Sequence, residues 1–196
     1  MTQKKYELLK NDTITAPNGK TLYRIKALID FSVVVAGSLG GYIEKEDNLT
    51  HSNNAWVSGN AEVYGDARVS GNAEVYGNAR VSGDARVSGD AWVSGNARVY
   101  GNAWVYGNAW VSGDAWVSGN ADLVWFSKVG TEQGTLTVYK SKDGSLLANR
   151  GYFSGTVDEF LAKSAKVHND RIKREYRLLI EVAKSRLLGE SYVPTF

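Results

Sequence analysis

Few residues in this chain could do acid–base, nucleophilic or metal chemistry. There are two histidines, His51 and His168, and no cysteine, which removes thiolate chemistry and disulfides. A general base for acyl transfer to an amine or hydroxyl is a positioned side chain with a pKa near neutrality. His51 is the candidate for that role, and its plain alternative is a surface histidine in the polar stretch Thr50-His51-Ser52-Asn53. Two histidines could hold a metal only if further copies of the chain supplied more ligands. Asp66, Asp84, Asp90 and Asp114 recur at a position that Asn fills elsewhere, so they read as turn residues and not as catalytic or metal carboxylates. There is no phosphate loop, nucleophile elbow or paired-carboxylate signature. The expectation is a non-catalytic chain with no cofactor and no metal. What remains is a ladder of aromatic and basic residues. Trp92, Trp104, Trp110 and Trp116, with Arg80 and Arg98, are separated by multiples of six. Such a ladder can grip a flat or anionic ligand by stacking and charge, or it can be cross-strand packing worth tenths of a kcal/mol per pair.

The element that places these residues is a six-residue repeat over residues 54–125: Asn/Asp, Ala, any residue (x), Val, Ser/Tyr, Gly. Eleven copies are perfect, and a twelfth, Asn120 to Trp125, keeps the core letters but loses the turn letters. A short fixed period means stacked identical units. Within each unit Ala-x-Val alternates, so Ala and Val share the inner side of a short strand and x points out. Gly and Asn/Asp then close a corner. The spacing resembles the hexapeptide repeat of left-handed parallel β-helices, in which three hexads make one triangular coil. It predicts about four regular coils spaced roughly 4.8 Å apart. Positions 18 apart then stack. One face carries Trp56, Glu74, Trp92 and Trp110, the second Glu62, Arg80, Arg98 and Trp116, and the third Arg68, Arg86, Trp104 and Asp122. So many outward aromatics point to oligomer packing or ligand binding. Solenoids of this kind usually pack face to face as trimers, so a homotrimer is expected.

Three regions follow. Residues 1–53 form an N-terminal cap, with a hairpin turned at Asn18-Gly19 and an irregular first coil cornered at Gly37, Gly40 and Gly41. Ile43 and Leu49 are six apart but out of register with the first regular hexad by two, which implies a two-residue insertion near His51. Residues 54–125 are the β-helix. Residues 126–196 form an α+β cap of short strands and two helices. The first helix starts at a capping box from Thr156 to Glu159. The second runs from an Asn169 or Asp170 cap to Gly189. It carries a buried stripe of Ile172, Tyr176, Leu179, Ile180, Ala183 and Leu187. Its basic residues Arg171, Lys173, Arg174 and Arg177 form either a solvated face or a face for an anionic partner. The net charge of +2 gives no general push toward nucleic acid or a membrane. No apolar run approaches the length of a membrane span or a signal peptide, so the chain is expected in a cytoplasm.

The flanks add a resemblance. Lys4-Lys5-Tyr6-Glu7-Leu8, Leu22-Tyr23-Arg24-Ile25-Lys26-Ala27-Leu28 and Gly37-Ser38-Leu39-Gly40-Gly41-Tyr42-Ile43-Glu44 lead into the hexads. After them come Gly134 to Tyr139 and Gly151 to Phe160. Together they resemble the YdcK-like hexapeptide-repeat proteins of tailed phages and prophages. The resemblance implies an accessory protein of phage origin in the bacterial host's cytoplasm. The first expectation is a binding protein that sequesters a small nucleotide-like anion or blocks a host protein, as in inhibition of anti-phage defence. The alternatives are a hexapeptide-repeat acyltransferase using His51, and a structural or assembly protein.

Overall fold

The structure is a computed structural model and describes residues 3–189. Each perfect hexad forms a two-residue strand and a corner. Eleven such strands, β4 (Trp56–Val57) through β14 (Trp116–Val117), recur every six residues. Apart from Ala115, at 1% exposure, the inward Ala and Val side chains of these strands have no exposed surface at all. Burying a Val contributes about 1.5–3 kcal/mol, so the stacked core holds the solenoid together. The glycines turn the corners. Gly89 sits at φ +70°, and a Cβ there would lie 2.9 Å from the Gly107 nitrogen of the next coil. Only glycine satisfies both the dihedral and the approach.

The strands stack in parallel with an 18-residue register on three faces. Trp92 pairs with Glu74 and Trp110, Arg98 with Arg80 and Trp116, and Trp104 with Arg86. The chain is a parallel β-solenoid of about four coils. Below it lie β1 (Tyr6–Thr15), β2 (Thr21–Ala27) and β3 (Leu39–Ile43), which extend the second face into a seven-stranded sheet. Ile43 pairs with Val63, and Leu49 bridges to Val69. Both offsets are 20 residues, which is the expected two-residue insertion. Gly40 and Gly41 are not corners. They lie within β3, and a Cβ on Gly40 would meet the Ile25 side chain at 2.5 Å and the Val57 carbonyl at 2.6 Å. The corner falls to Gly37 at φ +90°.

The twelfth hexad leaves the solenoid. Asn120–Asp122 is a short 3-10 turn, and Leu123 opens β15 (Leu123–Val129), the first strand of an antiparallel sheet. That sheet continues through β16 (Gly134–Lys140), β17 (Leu146–Arg150) and β18 (Phe153–Thr156). The missing Gly at position 125 removes the corner, so the chain runs on. Helices α1 (Val157–Val167) and α2 (Asp170–Leu188) cover this sheet. α1 starts at the Thr156–Glu159 capping box, and α2 runs from the Asn169 cap to Gly189 in the left-handed conformation.

The backbone ladder has a direction. The N–H groups of the x, Ser/Tyr and Asn/Asp positions donate to carbonyls 17 residues later, as in Trp56 to Ala73 (3.0 Å), Ser58 to Val75 (2.9 Å) and Asn60 to Gly77 (2.9 Å). The lower end therefore presents acceptors and the upper end presents donors. The caps match. At the bottom, Lys5 Nζ donates to the Ala55 carbonyl (2.7 Å), and buried Asn48 Nδ2 donates to the Ala67 and Gly65 carbonyls (2.8 and 3.1 Å). At the top, the Trp110 N–H donates to Thr137 Oγ1 (3.1 Å), Ser112 to the Tyr139 hydroxyl (3.1 Å), Trp104 to Asn120 Oδ1 (2.8 Å) and Ser118 to an Asp122 carboxylate oxygen (2.9 Å).

Two of the three corners carry a second ladder. Asn60 donates to Asn78 (3.4 Å), Asn78 to Asn96 (3.4 Å) and Asn96 to Asp114 (3.1 Å), while Asn72 donates to Asp90 (2.9 Å). In these two rows Asp114 and Asp90 are the final acceptors. These exposed bonds contribute little, whereas the buried Asn48 amide donates to two carbonyls and accepts from the Lys45 N–H at 2.9 Å. Asn48→Leu should cost about 3 kcal/mol or more and Asn60→Ala less than about 1 kcal/mol in urea unfolding; equal costs would contradict the capping role of Asn48.

Candidate functional site

The six ladder residues do not converge on one site. They fall into three groups, one on each face. On the first face Trp92 and Trp110 meet edge to face at 5.6 Å, with Tyr76 6.3 Å below Trp92. Trp92 remains 41% exposed. Trp56 continues this strip downward, but the N-terminal cap buries it beneath Tyr6 and Phe31. On the third face Trp104, 44% exposed, lies 5.0 Å from the Tyr106 ring and 6.0 Å from the Arg86 guanidinium.

The second face assembles the group with binding geometry. Arg80 pairs with Glu62 at 3.1 Å. One coil higher, Arg98 places its guanidinium 5.0 Å from the Trp116 ring centre. Lys142, from the turn between β16 and β17, brings its ammonium within 5.7 Å of the same ring. The indole N–H of Trp116 donates to the Tyr100 hydroxyl, which fixes the ring. Asn60, Asn78 and Asn96 with Arg80 and Arg98 line a groove up this edge of the prism. It opens into a cleft of about 810 Å³ between the last coil and the C-terminal cap, where Trp116, Lys142, Ser154 and Thr156 face one another. Two carboxylates also line the cleft. Asp114 accepts from Asn96, and Asp143 accepts from Ser141 and Ser145, which hold it down at a pKa of about 2. Both are engaged in turns, while the two cations rest on an aromatic face. Sequence reasoning found Arg98 and Trp116 but missed Lys142, whose only signal is a lysine in a hairpin turn.

His51 has a structural setting. Its Nδ1 accepts the Lys5 backbone N–H at 3.1 Å, so the ring proton sits on Nε2, which is buried and 3.7 Å from a Glu46 carboxylate oxygen. The ring stacks on Tyr6 at 4.3 Å. The lone pair that a general base would use is already occupied. On α2, Arg171, Arg174 and Arg177 are exposed, whereas Lys173 pairs with Asp170 at 3.3 Å. Among the described residues no three His, Cys, Asp or Glu side chains gather as a metal site, and no helix is long and apolar enough to cross a membrane.

The coil geometry defines the protein as a three-faced parallel β-solenoid with a lateral groove. The family model described as the YdcK beta solenoid repeat matches residues 73–89, 79–95, 91–107 and 103–119. These matches lie within the solenoid and span residues 73–119. No curated protein matches the chain.

The lower cap also sets a pH response. Burial of the Lys5 side chain, only 1% exposed, lowers its pKa to about 8. Burial, reinforced by Glu46 and Asp47, raises that of Tyr6. Between pH 8 and the ordinary lysine value near 10.5 the unfolded chain holds a proton that the folded chain has released. Stability therefore rises with pH there. Above about pH 10 an unfolded tyrosine ionises while Tyr6 resists, so stability falls. Melting temperature against pH should climb from 8 and turn over near 10, and Lys5→Met should abolish the climb but keep the fall. An unchanged climb in Lys5→Met would assign it to other groups.

Proposed function

We propose that the protein is a non-catalytic β-solenoid binding protein whose second-face groove holds a small, flat, anionic ligand of nucleotide type. The observation that carries this reading is Trp116 with Arg98 and Lys142 both on its ring at the head of the cleft. A planar base can stack on the half-buried indole and displace one cation from it, while a phosphate takes the freed guanidinium or ammonium. The engaged lone pair of His51 favours this reading over acyl transfer.

Within this proposal, the phage resemblance makes the role sequestration of a host signal in the bacterial cytoplasm, as in inhibition of anti-phage defence. The exposed aromatic strips on the first and third faces supply surface for a homotrimer in which prisms pack side by side, leaving the second-face groove open. The exposed Arg171, Arg174 and Arg177 offer a separate acidic partner, such as a host protein, a place on α2.

The test uses adenosine 5′-monophosphate, with adenosine as the uncharged control. Calorimetry should give saturable binding of the monophosphate, weakened roughly 10-fold or more by Trp116→Ala and by Arg98→Ala and unchanged by Trp92→Ala. Binding that ignores Trp116 and Arg98, or equal affinity for adenosine, would refute the groove assignment.

A further inference from the structure

The C-terminal cap holds a second, half-open pocket of about 260 Å³, lined only by residues of that cap. Its wall is a chain of aromatic rings. Phe153 lies 5.3 Å from Phe160, Phe160 lies 4.9 Å from Tyr176, and Tyr176 lies 5.4 Å from His168. His168 Nδ1 is held 3.1 Å from the hydroxyl of buried Ser164. At the same pocket stands Arg150, whose side chain is only 10% exposed. Its Nη2 donates to the Val129 carbonyl at 3.0 Å, but its Nε is buried with no partner. Its Nη1 faces Glu132, 3.6 Å away on a largely exposed side chain, and the Tyr176 hydroxyl lies beside the guanidinium. A buried cation whose Nε has no partner is costly.

The backbone makes room for this arrangement. A Cβ on Gly134 would lie 2.5 Å from Arg150 Nη1, and one on Gly130, at φ +71°, would overlap the Tyr176 hydroxyl. Two glycines thus let the guanidinium and the phenol approach the same turn. Lys163 adds a second cation, its ammonium 5.4 Å from the Phe153 ring centre. Two cations, Arg150 and Lys163, and one carboxylate, Glu132, line the pocket beside an apolar aromatic wall, and the nearby Glu175 carboxylate is engaged by the Gly130 N–H at 2.9 Å.

We propose that this pocket binds a small aryl carboxylate, with its ring against Phe153, Phe160 and Tyr176 and its carboxylate on Arg150 and Lys163. The volume suits a single-ring acid, and a planar carboxylate matches the guanidinium fork. The carboxylate takes over the Nη1 position that Glu132 holds weakly.

The full chain is titrated with phenylacetate, with benzyl alcohol and benzylamine as ring-matched neutral and cationic controls, by ligand-observed NMR and calorimetry. Phenylacetate should bind with a Kd of roughly 0.1–1 mM, and neither control should compete. Arg150→Gln should weaken it about 10-fold or more, with thermal unfolding confirming that the cap remains folded. Lys163→Glu, at an exposed position, should weaken it several-fold and keeps the test valid if Arg150→Gln fails to fold. Both variants should leave adenosine monophosphate binding at the solenoid groove unchanged, so the two sites are read separately. The proposal is overturned if phenylacetate shows no saturable binding at about 10 mM, if a control binds as well, or if Lys163→Glu binds as the parent does.

Discussion

The direction of the inter-coil hydrogen bonds constrains everything else. Three N–H groups per hexad point toward the C-terminal end of the stack. A solenoid built this way cannot simply stop, because buried backbone groups without partners cost free energy comparable to a lost hydrogen bond. Its lower end calls for donors, and the N-terminal cap supplies an ammonium, an amide and the strand β3. Its upper end calls for acceptors, and the C-terminal cap supplies hydroxyls, an amide oxygen and a carboxylate. Both caps also remove the sheet edges that would otherwise invite open-ended association.

This constraint explains where the groove lies. The side chains that close the first face come from β16 and β17. Asn149 donates to the Trp110 carbonyl at 3.0 Å and shares a buried polar cluster with Ser112 and Ser154. On the second face the cap touches the last coil near Ala115 and Ser141 and then stands off. The space left between them is the cleft, and Lys142 reaches across it to Trp116. The same cap that completes the ladder on one face thus leaves an open cleft on the next.

Much of the fold was legible in the residues. The period of six specified inward Ala and Val, three faces and an 18-residue register. The offset between Ile43 and Leu49 and the first regular hexad disclosed the insertion near His51. The helix caps at Thr156 and Asn169 were visible because capping is a local chemistry. Gly40 and Gly41 misled because glycine serves close approach as well as corners. The twelfth hexad misled because its apolar letters persist after the corner glycine is gone. The candidate site was only partly legible. Periodicity tells which x residues share a face, so Arg80, Arg98 and Trp116 could be grouped. It cannot tell which hairpin turn folds over them, and so Lys142 was missed. The cap pocket is built from residues 131–176 that carry no repeat. Its only trace in sequence is glycine at 130 and 134, which acquires meaning once Arg150 and Tyr176 are in place.

The most direct measurement is an amide and indole NMR titration of the isotope-labelled chain with adenosine 5′-monophosphate. The account predicts saturable shifts at the Trp116 indole N–H, the Arg98 side chain and the backbone of Asp114 to Trp116, with Trp92 and Trp104 undisturbed. Shifts confined to the Trp92 or Trp104 faces, or none at saturating ligand, would contradict it.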